Sequence, residues 1–196
     1  LLAGRKAAAP KARRVGFLLG TEPEATADEA ATLPPTVLDA DGLNAVAEAD
    51  EWWTNIGAPS LILTPHPGEL SRLLDRPVAD IQADRLQAAR DAAARFGQVV
   101  ALKGAHTVIA APDGRLAVSP FANPALATAG TGDVLAGAIV GFLAQGLDPF
   151  DAAALGVYIH GLAGELVRSE LGDAGTIASD LLPMLPQAIR EVNLAS

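Results

Sequence analysis

The run Gln98-Val99-Val100-Ala101-Leu102, followed at once by Lys103-Gly104-Ala105-His106-Thr107, is where the sequence is easiest to read. After Gln98 four unbroken apolar residues, two of them β-branched, predict a strand buried on both faces. Upstream, residues 80–96 place apolar side chains at helical spacing and end on Gly97, a natural helix stop. Downstream, residues 107–111 and 115–119 flank Pro112-Asp113-Gly114, which predicts a hairpin. Helix, buried strand and hairpin in succession point to an α/β protein.

The same pattern extends in both directions. Residues 15–20 read as a buried strand ending in Gly20, and residues 21–33 as an acidic, Ala-rich helix closed by Pro34-Pro35. Thr36-Val37-Leu38 is a short strand that runs into the carboxylates of Asp39 and Asp41. Residues 61–64 form the next strand, stopped by Pro65 and Pro67. Beyond the hairpin, residues 132–145 predict a helix followed by Gly146, and residues 151–167 a second long helix. Ser179 or Asp180 is placed to cap a third. Strands alternating with helices predict a mostly parallel sheet with one local hairpin and helices on both faces. No repeat or linker divides the chain, so a single domain over residues 1–196 is expected, with residues 1–14 irregular.

Composition narrows the function classes. The 196 residues carry 14 Lys+Arg against 23 Asp+Glu, a formal charge of −9, which disfavours a general nucleic-acid binder. Half of the residues are hydrophobic and 19% charged, enough apolar material for a packed core. No cysteine is present, which excludes disulfides, thiolate metal sites and a Cys nucleophile and suits a reducing, cytoplasmic compartment. No apolar run approaches the roughly 18 residues of a membrane span, so no membrane partner is expected. Five of the 14 basic residues fall in the first 14 positions and read as a solvated segment, without the apolar stretch of a secretory signal.

Three segments place chemically capable residues at predicted strand ends, where ligands bind in open α/β sheets. In Thr64-Pro65-His66-Pro67-Gly68-Glu69, His66 can donate to a phosphate or amide and Glu69 can order a magnesium-bound water. The same residues also fit a rigid turn in which Glu69 caps the next helix. In Lys103-Gly104-Ala105-His106-Thr107, ammonium, hydroxyl and backbone donors can meet phosphate oxygens, although a hairpin turn with a solvent-reaching lysine would look alike. The third segment, residues 123–133, ends in Gly130-Thr131-Gly132-Asp133 before an apolar helix. Small residues there let backbone N–H groups converge on an anion at the positive end of the helix dipole. Asp133 would stand beside that anion, placed to take a proton from a hydroxyl. The pattern is neither a P-loop nor the full dinucleotide glycine fingerprint. Asp39 and Asp41 read as turn carboxylates that a nucleotide or metal could also use, and His160 as a packed core histidine.

Taken in order, five blocks carry a resemblance: residues 37–44 (VLDADGLN), 64–70 (TPHPGEL), 100–108 (VALKGAHTV), 123–141 (NPALATAGTGDVLAGAIVG) and 160–165 (HGLAGE). Together they resemble the ribokinase-like family of ADP- or ATP-dependent NAD(P)H-hydrate dehydratases, the nicotinamide repair enzymes. That likeness implies a ribokinase-like three-layer sandwich. It further implies phosphorylation of the hydroxyl on a hydrated nicotinamide ring, then loss of phosphate to restore NADH or NADPH. By it, Asp133 is the base, and Gly20 and His66 contact the hydrated dinucleotide. Glu69 helps organise Mg2+, and Lys103, Gly104, Ala105, His106, Thr107, Gly130, Thr131 and Gly132 hold the ADP or ATP. A homotetramer and an epimerase, as partner or fused domain, are further implications.

The chain departs from the family at Gly16-Phe17-Leu18-Leu19-Gly20, where Gly-Pro-Gly-Leu-Gly is usual, and at Ala125, where glycine is frequent. The family's glycine-rich substrate loop with a tyrosine has no counterpart in residues 1–14, so an N-terminally truncated version of the fold is expected. Two other classes stay open: a non-catalytic nucleotide-binding remnant, and a ribokinase-like kinase of a small alcohol.

Overall fold

Short apolar runs that end in proline, glycine or a charge make short strands, and those among the described residues join one sheet. The computed structural model describes residues 34–56 and 60–195. The predicted strand at residues 15–20, the helix at 21–33, the basic segment and Gly20 lie outside the described residues.

Within them, β1 (Thr36–Leu38) leads into α1 (Ala40–Ala47) and β2 (Leu61–Leu63) into α2 (Pro67–Leu74). Two helices, α3 (Val78–Ala83) and α4 (Arg85–Phe96), precede β3 (Val99–Leu102) and the hairpin β4 (Val108–Ala110)–β5 (Leu116–Val118). The chain closes with α5 (Thr131–Leu143), α6 (Pro149–Leu171), α7 (Ala178–Leu181) and α8 (Met184–Ala195). The five strands lie in sequence order, with β1–β2 and β2–β3 parallel and β3–β4 and β4–β5 antiparallel. The hairpin therefore stands as predicted and makes the described sheet mixed.

Successive residues along each strand point to opposite faces, and the core divides accordingly. Leu61, Leu63, Val100, Leu102, Val108 and Ala110 pack beneath α1–α4, with Leu70, Ile81 and Phe96. Ile62, Val99, Ala101 and Ile109 face the other way, onto Leu135 and Ile139 of α5 and Ala153 and Val157 of α6. A third cluster, built from Ile159, Ala163 and Val167 of α6 with Leu181 and Ala188, seats α7 and α8 on the outer side of α6. Helices thus cover both faces, as the sequence predicts.

Three local expectations change. Residues 80–96 are not one helix, because Asp84 leaves helical geometry (φ −144°, ψ 83°) and its carboxylate accepts the N–H of Gln87 as a new N-cap. A short acidic side chain competes for backbone donors and so starts α4 afresh. Neither Ser179 nor Asp180 is the first cap of α7. Asp180 instead reaches back from the third position to the N–H of Ile177, at 2.9 Å. Finally, Pro149–Leu171 is long and apolar enough to cross a membrane by length and composition, contrary to expectation. Its most apolar window is 61% buried inside the fold, the position of a core helix.

Candidate functional site

Parallel strands deliver their carboxyl ends to one edge of the sheet. β1 ends there on Asp39, β2 on Thr64-Pro65-His66 and β3 on Lys103. β5 runs in the same sense as β3 and brings Ser119 to that edge. A cleft of about 520 Å³ opens there, bounded by His66, Lys103, Ser119, Asn123, Gly132 and His160 among others.

Lys103 is not a lysine reaching for solvent. Its Nζ donates to Asp39 Oδ1 at 2.6 Å and stands 3.7 Å from Glu69 Oε2, with side-chain exposures of 18%, 13% and 7% for the three residues. Two carboxylates from different strand ends therefore hold one ammonium in a largely enclosed position, which removes most of its rotational freedom. Asp39, read from sequence as a turn carboxylate, is part of the site, whereas Asp41 stays exposed in the first turn of α1. Gly132 closes this group from the helix side: a Cβ there would lie 3.6 Å from Lys103 Nζ and 3.9 Å from Asp39 Oδ2.

The turn before α2 combines both readings offered by the sequence. His66 Nδ1 accepts the N–H groups of Gly68 and Glu69 at 3.0 and 3.2 Å, and Glu69 Oε2 accepts the N–H of His66 at 2.7 Å. This is a reciprocal capping box. With Nδ1 engaged as an acceptor, the neutral ring carries its proton on Nε2, 3.5 Å from Glu69 Oε1. Glu69 thus caps the helix and faces Lys103 at once, and His66 lines the cleft.

Residues 103–107 form a tight turn. Lys103 N–H donates to Pro65 O at 2.8 Å and His106 N–H to Phe121 O at 2.9 Å. His106 Nδ1–H donates to the Ser119 carbonyl, and the Thr107 hydroxyl to the Gly104 carbonyl at 3.1 Å. Lys103, Gly104, Ala105 and Thr107 line the cleft; the His106 side chain is turned away to Ser119.

Gly130 opens α5 with φ +87°, a conformation that favours glycine, and a Cβ would sit 3.1 Å from Ala178. The Thr131 hydroxyl is within 2.6 and 2.7 Å of the carbonyls of Leu126 and Thr128, so it ties the turn together. What the start of α5 offers an anion is its unpaired backbone N–H groups. Asp133 is exposed in this first turn, one residue beyond Gly132.

His160 is buried, as read from sequence, yet it also lines the cleft. Its Nε2–H donates to the Thr131 carbonyl at 2.9 Å, and burial lowers its pKa to about 4, so it is neutral near pH 7. Two residues escaped the sequence reading. Asn123 accepts the Ala125 N–H and keeps its Nδ2 buried without a protein partner among the described residues. Arg85 reaches the carbonyls of Leu102, Lys103 and Ala105 from beneath the turn. Asn123 opens the block already singled out, whereas nothing local marks Arg85, which lies 17–20 residues upstream of its partners.

An α/β sheet with lysine, small-residue turn and helix start gathered at its carboxyl edge is the arrangement of an open α/β protein with a ligand cleft at that edge. Comparison with known proteins is specific within that class. Residues 6–187 match the NAD(P)H-hydrate dehydratase family, and the chain belongs to it. The bifunctional NAD(P)H-hydrate repair enzyme Nnr of Moorella thermoacetica is 49% identical over 158 residues, 81% of this chain and 30% of that protein. The ADP-dependent (S)-NAD(P)H-hydrate dehydratase of Neisseria meningitidis is 46% identical, over 76% of this chain and 51% of its own length. The chain thus spans about half or less of the length of these curated relatives. Among solved structures, the Bacillus subtilis ADP/ATP-dependent NAD(P)H-hydrate dehydratase co-crystallised with ATP/Mg2+ superposes with a TM-score of 0.74 at 38% identity, covering 84% of this chain and 57% of that one. A ribokinase-like superfamily protein of Enterococcus faecalis follows with a TM-score of 0.66 at 28% identity, over 79% and 52%. The fold is ribokinase-like.

Proposed function

We propose that this chain takes part in ADP- or ATP-dependent dehydration of hydrated NADH or NADPH, with the cleft at the sheet edge as the nucleotide site. The observation that carries the reading is the Lys103–Asp39–Glu69 group packed against Gly132, one residue before the exposed carboxylate of Asp133. Lys103 and the free N–H groups of its turn and of the α5 start hold the phosphates. Asp133 accepts the proton of the ring hydroxyl while that oxygen attacks the terminal phosphorus of the donor and the bond to the leaving nucleotide breaks. The phosphate then departs with the electron pair of the C–O bond as the neighbouring ring carbon gives up a proton, restoring the double bond. His66, exposed at the cleft rim, contacts the dinucleotide.

Asp39 and Glu69 are oxygen donors of the kind Mg2+ prefers, and among the described residues no group of three carboxylates or imidazoles gathers to hold a metal. That suits a cation bound through one or two carboxylates, phosphates and water. When present it would offset the charge of the transferring phosphoryl group.

The test is recovery of reduced-nicotinamide absorbance from hydrated NADH, with ADP or ATP and magnesium. The expected result is turnover that Asp133→Ala abolishes while ADP binding persists. Equal turnover in that variant removes Asp133 as the base. ADP binding without turnover in the parent chain makes it a nucleotide-binding module, and a stable phosphomonoester product makes it a small-alcohol kinase.

A further inference from the structure

Within the 103–107 turn only the Gly104–Ala105 peptide is held by a residue of the turn, Thr107, and the set of the other peptides needs an explanation. The explanation comes from beneath. Arg85, the first residue of α4, sends Nη2 to the carbonyls of Leu102 at 3.1 Å and Lys103 at 3.3 Å, and Nη1 to the carbonyl of Ala105. In a trans peptide the C=O and N–H of one unit point in opposite directions. Each carbonyl drawn down to the guanidinium therefore turns its partner N–H up and away. Two of these N–H groups are used inside the protein: Lys103 donates to Pro65 O and His106 to Phe121 O. The third, on Gly104, meets no acceptor among the described residues, and neither does the N–H of Ala105, whose own peptide carbonyl is held by the Thr107 hydroxyl. Both residues line the cleft.

The fit is close. Gly104 has φ +143°, and a Cβ there would stand 2.9 Å from Arg85 Nη2, so the guanidinium occupies the space a side chain would need. Arg85 is half-buried and forms no ion pair with a carboxylate among the described residues. Its partners are carbonyl oxygens, and a planar fork of donors is suited to gathering several of them at once. The break at Asp84 is what places Arg85 here, since α4 restarts at this residue.

We propose that Arg85 is a positioning residue for nucleotide phosphate. It holds the carbonyls of Leu102, Lys103 and Ala105 on its own side, so that the N–H of Gly104 is presented to the cleft beside that of Ala105, whose peptide the Thr107 hydroxyl holds, and the two form an anion-binding pair. This rests on the reading of the cleft as a nucleotide site.

The test compares ADP with adenosine on the 196-residue chain. Arg85→Ala should weaken ADP binding by about tenfold or more, the loss expected when hydrogen bonds to a charged group are misaligned, and leave adenosine affinity unchanged. Arg85→Lys keeps the charge but cannot bridge three carbonyls, so it should show the same selective loss; it also serves if Arg85→Ala does not fold. In the parent, amide resonances of Gly104 and Ala105 should shift on titration with ADP and not with adenosine. Unchanged ADP affinity in a folded Arg85→Ala, full rescue by lysine, or ADP binding that leaves those two amides unmoved overturns the proposal. A parent chain that binds no ADP overturns the nucleotide reading itself, which is a different result from ADP bound equally well with and without Arg85.

Discussion

At the scale of residues, the site rests on charge compensation. Lys103 lies between Asp39 and Glu69, and each of the three is mostly enclosed. Removing the ammonium leaves two carboxylates facing one another with little water. Lys103→Ala is therefore expected to lower stability by about 2 kcal/mol, less than the ~3–5 kcal/mol of fully buried pairs because these side chains keep some solvent. Chemical denaturation measures that loss, and restoration by adding Asp39→Asn to the same chain would identify the released carboxylate as its cause. Calorimetry should also show ADP affinity falling with Lys103→Ala. The sequence identified Lys103 and Glu69 because each sits in a short recognisable turn. It could not weigh Asp39, whose partner is 64 residues away and is brought near only by the parallel pairing of β1, β2 and β3.

Elements are positioned by caps and by close helix contact. Asp84 starts α4, and losing its side-chain bond to Gln87 should cost about 1 kcal/mol. If Arg85 depends on that restart, Asp84→Ala should also weaken ADP binding, which titration of the variant would reveal. The contact of α5 with α6 depends on Gly156, where an added Cβ would fall 2.5 Å from Ile139 Cγ1 and 3.0 Å from its Cα. Backbone cannot yield as a flexible side chain does, so Gly156→Ala is expected to destabilise by roughly 1–3 kcal/mol, read from the urea midpoint. Gly137 at mid-α5, with open space around it, is the control: Gly137→Ala should be neutral or stabilising. The strands of the described region, α5 and α6 followed from the sequence because period and punctuation are local, whereas α1 and α8 were not read from it. The division of residues 80–96 did not follow either, because an aspartate inside a helical pattern caps only when its carboxylate finds a free backbone N–H.

Across the whole molecule, His160 couples the site to stability. It is buried where α6 meets the start of α5, and burial lowers its pKa to about 4 against an ordinary value of 6.5. The unfolded chain therefore takes up this proton first as pH falls. The contribution to stability is fully present above about pH 6.5 and is lost as pH drops towards 4, by at most about 3 kcal/mol. The difference in unfolding free energy between the parent and His160→Gln, followed from pH 7.5 to 4.5, should change with this sign, and a constant difference would exclude it. The same two-sided packing explains the long apolar α6: one stretch meets the sheet and α5, another meets α7 and α8, so an apolar helix is hidden by the fold.

The sequence by itself determined the α/β class, the strands of the described region, the two long helices α5 and α6, the hairpin, and the three turns that meet at the cleft. These are matters of near neighbours, settled by periodicity, glycine, proline and capping groups. Only the tertiary structure decided that Asp39 pairs with Lys103, that His160 both packs and lines the cleft, and that Arg85 lies beneath the 103–107 turn. Those contacts join residues far apart in the chain through the alignment of strand ends at one sheet edge, and no local pattern encodes that alignment.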